Sequence, residues 1–336
     1  MTSRILKPAM FLIFGLILIG VAWWLTKPVD EKQNIQRQRH EFFTVTGIQI
    51  LNQEEERNRA AMERARQQLA SNFARYRRGV PEFAEDLTTW GTRYKIAKAA
   101  LADWWSDSNE ARKVATDQFA KFVVSDQQLQ RDVIATIDQF SSDLEANRNI
   151  MLNELHEKVS IAAVPCASTD LSSSNLTGAC TEEVKSLLAR RSADSLVVGV
   201  IATGGGFVAG EASIKIVTKL LSSMATRVAT GAAARGSAVA AGAIAGGEGG
   251  TIITPGVGTA IGIVGGIVVG GAVDWWMEGR FKEKVTNECT QILNDMEESL
   301  WNDPKQGLAS AFDQTVKANR EAHETALRKI ITGGEK

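Results

Sequence analysis

The sequence predicts an all-α protein: a membrane-anchored helical bundle or coiled coil carrying a Gly/Ala-rich hydrophobic transmembrane hairpin. Three observations predict it. An uncharged apolar segment stands near the N-terminus, apolar residues recur every three or four positions through most of the polar chain, and residues 195–275 are dominated by Gly, Ala, Val and Ile. Alternating β-branched residues are rare, and two Tyr and six Pro in 336 residues leave little material for strands and frequent turns.

Behind a short tail, residues 1–8, the chain from Pro8 to Leu25 carries no charge, with Arg4, Lys7 and Lys27 flanking it. Roughly 18 such residues is about the least that crosses a bilayer core as a helix. Trp23 and Trp24 close the segment, where amphipathic rings favour the headgroup layer and act as membrane-interface anchors. A cleaved signal peptide is the competing reading, but the bulky Trp-Trp-Leu-Thr-Lys end has no small-x-small cleavage site. Residues 9–26 are therefore read as a retained transmembrane anchor.

Residues 28–194 read as a helical bundle domain. Met62, Ala65, Leu69, Phe73 and Tyr76 form an apolar stripe on a first long helix, and the charges around them, Glu54 to Arg57 included, read as its solvated face. Gly79-Val-Pro81 is expected to break that helix. A second helix is expected from Glu82 to Trp105, with Phe83, Leu87, Trp90, Tyr94, Ala97 and Leu101 as its core face. A third, beginning near Ser108 or Asn109, carries Phe119, Phe122, Leu129, Val133, Ile137, Phe140, Leu144, Met151, Leu155 and Val159. Residues 276–332 are read as amphipathic C-terminal helices interrupted near Asn302-Asp-Pro304. Antiparallel helices with such stripes pack into a bundle.

Cys166 and Cys180 bracket a Ser-rich loop, 166–180, too polar to pack by itself, and are expected to close its neck as a disulfide if the domain is extracytoplasmic. Cys289 reads as a buried thiol. No second Cys or His pair has metal-ligand spacing, so no metal is expected.

The Gly/Ala-rich block, residues 195–275, is read as membrane-embedded, with a spanning helix at about 251–273. Gly258, Gly262, Gly266 and Gly270 recur every four residues, and Gly242, Gly246 and Gly250 stand in the same register. Residues four apart share a helix face, so these glycines form a helix-packing stripe on which another backbone can approach. Trp275 and Trp276 close the block as Trp23 and Trp24 close the anchor. The glycine pattern resembles the glycine zippers of bacterial membrane proteins; it covers about 30 residues and is shared by unrelated families. An amphipathic helical body holding a Gly/Ala-rich hairpin also resembles α-helical pore-forming toxins in architecture.

The stretch 211–248 carries Lys215, Lys219, Arg227 and Arg235 against Glu211 and Glu248. Placed in the cytoplasm it obeys the positive-inside rule, which puts 28–194 and 277–336 together on the outer face. The expected location is the bacterial inner membrane, N-terminus cytoplasmic and main helical domain extracytoplasmic.

No catalytic constellation is legible. His40, His156 and His323 are each followed by Glu without a second His at metalloprotease spacing, and no nucleophile elbow or phosphate-binding glycine loop occurs. No catalytic residue and no cofactor are expected. A net charge of −1 gives no field for nucleic acid, so none is expected as a partner. The expected partners are the lipid bilayer and further copies of the chain or other envelope proteins. The expected role is structural or assembly, with pore formation or translocation as the alternative.

Overall fold

The structure is a computed structural model that describes residues 31–106, 110–164, 166, 178–180, 182–183, 186, 211–234, 280–304 and 306–333. Every regular element among them is a helix. Helix α1 (Glu31–Phe42) passes through one π-helical turn, Phe43–Gly47, into α2 (Ile48–Thr88). The backbone at Phe42, Gly47 and Ile48 stays right-handed helical, so residues 31–88 form one rod, roughly 85 Å long at 1.5 Å per residue. Then come α3 (Trp90–Ser106), α4 (Glu110–Phe122), α5 (Asp126–Ala162), α6 (Glu211–Ala234), α7 (Phe281–Asn302) and α8 (Leu308–Thr332).

The long elements run antiparallel to the rod. Arg75 pairs with Asp132, Arg64 with Asp143 and Arg57 with Glu154, so α5 descends as α2 ascends. Lys282 pairs with Glu85, Arg77 with Glu297 and Arg320 with Glu55, so α7 and α8 together descend along another side. The apolar stripes meet in two clusters. The upper one joins α2, α4, α5, α6, α7 and the start of α8, with Phe140 stacked on Phe312 at 4.0 Å between ring centroids. The lower one joins Phe42, Phe43, Leu51, Leu155, Leu327 and Ile331. The polar regions before and after the Gly-rich block thus share one bundle.

Several expected elements differ. Gly79-Val-Pro81 does not end α2, which continues to Thr88. Pro81 is exposed, so its missing N–H falls on the solvent side, and Gly79 is where the chain between α4 and α5 crosses α2. A Cβ on Gly79 would stand 2.0 Å from the Phe122 carbonyl oxygen. The expected second helix is split at Thr89, whose φ −66°, ψ 145° is extended. The Thr89 hydroxyl accepts the Thr92 N–H at 3.4 Å, and the Thr92 hydroxyl donates to Asp86 at 3.1 Å, starting α3 in a new phase. Phe83 and Leu87 are buried as expected, but α3 buries Thr92 and Ile96 and turns Trp90 and Tyr94 outward. The expected third helix is likewise broken, at Val123–Ser125, where the Ser125 side chain caps α5 by accepting the Gln128 N–H at 3.2 Å. The interruption near Asn302-Asp-Pro304 is observed.

Residues 211–234 were expected in the membrane-embedded block and across the membrane from the bundle. They instead form α6, packed on α5 and α7, with Val217, Leu220, Leu221, Met224 and Val228 in the upper core. Arg227 pairs with the buried Asp303, which anchors α6 at the α7–α8 junction. The amphipathic spacing of those residues serves a bundle face as well as it would a membrane interface. Among the described residues no helix is long and apolar enough to cross a membrane. The expected spans 9–26 and 251–273 lie outside the described residues, as do Trp23, Trp24, Trp275, Trp276, Gly242, Gly246, Gly250, Gly258, Gly262, Gly266 and Gly270.

Candidate functional site

Between the two apolar clusters lies a belt of polar side chains. On α2 the core stripe runs Leu51, Glu54, Asn58, Ala61, Ala65, all buried, so two consecutive core positions are polar. Glu54 faces His323 of α8, each side chain 2% exposed, with the ring Nδ1 3.0 Å from Oε2 and 2.9 Å from Oε1. One ring hydrogen serves one carboxylate oxygen at a time. Asn58 accepts from the Asn147 amide of α5 at 2.9 Å, also buried. One helical turn of α2 therefore addresses α8 through Glu54 and α5 through Asn58. Half-buried pairs seal the flanks: Arg57 grips Glu154 through both guanidinium nitrogens, at 3.1 and 3.3 Å, and Arg320 donates to Asn52 at 3.0 Å.

Unpaired, each of these groups would cost several times what it contributes paired, so the belt penalises any slip of one helix along another. The groups are enclosed and face one another across helices, although Glu54 Oε1, Arg57 Nε and Arg320 Nη1 are buried without a hydrogen-bond partner. Further up, Asp132 accepts from both the Tyr76 hydroxyl and Arg75, and burial, then Asp132, pushes the Tyr76 hydroxyl well above its ordinary range. Among the described residues no group of three or more His, Cys, Asp or Glu is placed to hold a metal ion. A groove lined by Pro81, Arg280, Lys282, Glu283, Thr286 and Asn287 is shallow and open.

No family model, curated protein or solved structure matches this chain.

The expected disulfide is not formed: Cys166 and Cys180 are free thiols, as is Cys289. Cys180 is fully buried in the lower cluster, and Cys166 packs against that cluster from its edge. Burial, then the Glu54 carboxylate, pushes the Cys180 thiol up to about 12, and burial pushes Cys289 up as well. Cys166 is raised by burial and lowered by Arg39. Thiolate is the reactive form, so timed alkylation of the native protein should modify Cys166 first, with Cys180 and Cys289 reacting only after unfolding. Mass spectrometry of the peptides checks the order; equal rates at Cys166 and Cys180 would remove Cys180 from the core.

His323 and Glu54 went unrecognised in the sequence as partners. Glu54 belongs to a run of three glutamates that looks like solvated charge, yet its spacing from Leu51, Asn58, Ala61 and Ala65 is the core spacing. His40 and His156 are exposed, and only His323 is buried.

Proposed function

We propose that this chain is a non-enzymatic structural or assembly component of the bacterial cell envelope, attached to the inner membrane by residues 9–26 and acting through helix–helix packing. The observation that carries the reading is the polar belt: the most chemically capable buried groups, Glu54 and His323, are spent on holding helices in register. Residues 251–273, with their glycine stripe, are the membrane-embedded contact surface in this reading.

The packing of α6 changes the topology that goes with it. Ala234 and Arg280 belong to the same bundle, so the chain between them leaves and re-enters one body. A bilayer segment within 235–280 then crosses an even number of times, as a hairpin or a re-entrant loop. Lys219 and Arg227 sit on the bundle, so they no longer mark an opposite, cytoplasmic loop. A hairpin held at both ends by a helical body also favours the second reading, a membrane-active or pore-forming protein.

The test is the pair Gly262→Leu with Gly266→Leu, read by crosslinking and by oligomeric state in mild detergent. Leucines keep the segment apolar enough to insert but bar a neighbouring backbone. Normal insertion with lost oligomers or lost compactness is expected, while Ile263→Leu with Ile267→Leu should change little. If the glycine pair behaves like the isoleucine pair, the packing role fails. A closed ring with conductance in a planar bilayer would favour the pore.

A further inference from the structure

The break at Thr89 leaves an aromatic pair in solvent. Trp90 is 84% and Tyr94 65% exposed, one turn apart on α3, while Thr92 and Ile96 hold the opposite face in the bundle. Lys95 and Lys98 are also exposed, Lys98 one turn on from Tyr94 along the same face and Lys95 on its flank, and Gly91 beside Trp90 has nothing within 4 Å of where its Cβ would be. The other large exposed apolar residues among those described, Val45, Ile150 and Ile161, stand singly. Isolated ones are ordinary; two large aromatics on adjacent turns, with amines alongside, are not.

Place as well as chemistry bears on what covers them. Trp90 follows the C-terminal turn of α2, where Glu85 pairs with Lys282 at 3.2 Å. That is where the chain re-enters the bundle after the apolar stretch 251–273. Only residues 274–279 separate that stretch from Arg280, a reach of about 25 Å even when fully extended. A bilayer holding 251–273 therefore lies within that reach of the bundle end that carries Trp90.

We propose that this end of the bundle docks on an anionic lipid surface through Trp90 and Tyr94, with Lys95 and Lys98 reaching the headgroups. The inference rests on the reading of 251–273 as membrane-embedded. Indole and phenol rings settle at the headgroup layer, and lysine stems lie along apolar surface while their amines meet lipid phosphates. Helix α3 carries Arg93, Lys95 and Lys98 against Asp103, a local excess of positive charge in a chain of net charge −1. A second copy fits less well. Two aromatic side chains bury roughly 150–250 Å² each, well short of the about 800 Å² per partner of a stable interface. Stacking this face on its own copy would also bring lysines together.

The test uses the full chain in vesicles of equal parts phosphatidylethanolamine and phosphatidylglycerol, on a Cys166→Ser background, since the other two cysteines are buried. An environment-sensitive fluorophore is attached at Tyr94→Cys, at Ile150→Cys on the mid-bundle surface, or at Ile263→Cys. Headgroup nitroxide lipid should quench the label at 94 about twofold, as for a group at headgroup depth, and leave the label at 150 unchanged. Lys95→Glu with Lys98→Glu, or pure phosphatidylcholine vesicles, should abolish that quenching. If the label at 263 is quenched by a nitroxide carried deep on the lipid acyl chain and that at 94 by neither the headgroup nor the chain nitroxide, docking is wrong while the embedded segment stands. If neither is quenched, the reading on which the proposal rests has failed with it. A label at 94 shielded from aqueous iodide but untouched by lipid quencher means a protein covers the face, and overturns the proposal.

Discussion

Gly79→Ala is expected to destabilise the bundle by ~3 kcal/mol, at the upper end of overpacking costs, although alanine is the better helix former. Helix propensity alone predicts the reverse, a gain of about 1 kcal/mol for replacing a mid-helix glycine. The contact decides the sign. The new Cβ would lie 2.0 Å from the Phe122 carbonyl oxygen, 3.0 Å from its carbon and 3.2 Å from the Val123 Cα. All three are backbone atoms, so no side-chain rotation relieves the clash. The chain between α4 and α5 has to move off α2, which disturbs Val124, buried beside it, and the Ser125 cap. Gly91→Ala is the matched control. It is a helical glycine with open space at its Cβ, and should be neutral or stabilising by up to about 1 kcal/mol. Urea unfolding followed by far-UV circular dichroism in mild detergent compares the two. If Gly79→Ala proves as stable as Gly91→Ala, α2 and the 122–123 backbone are not in contact.

Gly79 also shows where sequence reading stops. The stripes that define a helix are local, so Leu69, Phe73, Tyr76, Phe140, Leu144 and Leu155 were legible as core, and all are buried. What a glycine does is set by what crosses it, and the crossing chain is more than forty positions away in the sequence. Gly-Val-Pro reads as a helix end by local chemistry, yet Pro81 faces solvent and α2 gains more by packing its last turns, Phe83, Ala84 and Leu87, than the lost hydrogen bond costs. Trp90 and Tyr94 went astray for the complementary reason. Their spacing from Phe83 and Leu87 is helical, but a single extended residue, Thr89, resets the phase and reverses which side is buried. The amphipathic stretch 211–228 carries a pattern common to bundle faces and membrane interfaces, and only its neighbours, Asp303 among them, decide between the two.

The two candidate apolar segments meet the folded body far apart. Residues 9–26 lead into Glu31 at one end of the rod, and the Gly-rich stretch returns at Arg280, paired through Lys282 to Glu85 near the other end. A rod of roughly 85 Å is far longer than the bilayer core of about 30 Å. If both segments enter lipid, the body either lies along one membrane or spans the gap between two. The proposed docking of α3 would bring the Arg280 end to headgroups in either arrangement.

His323→Ala is expected to cost about 1–3 kcal/mol, the range for leaving a buried polar group without its hydrogen-bond partner. The loss is larger than the pair's own contribution. With the imidazole gone, the buried Glu54 side chain has no proton donor opposite it, and its desolvation is no longer offset. Leu51 and Leu327, one turn from Glu54 and His323 on their helices, are fully buried in the lower cluster. Glu54→Leu with His323→Leu removes both polar groups at once and should recover most of the stability, since replacing both partners of a buried hydrogen bond by apolar groups of similar shape can be nearly neutral or stabilising. The double variant, compared with the two single ones, isolates their coupling. What it should lose is alignment. With Asn58–Asn147 the sole remaining buried polar link in the belt, α5 keeps its register on α2 while α8 does not. With cysteines placed at Asn52 and Arg320, where the guanidinium reaches the Asn52 amide oxygen at 3.0 Å, a short bifunctional thiol crosslinker should join one pair cleanly in the parent chain and spread to neighbouring turns of α8 in the double variant. If the single His323→Ala chain is as stable as the parent, the carboxylate is reached by water and the belt is not a closed one. If the crosslink in the double variant stays at one position, the apolar stripes fix the register of α8 without the belt.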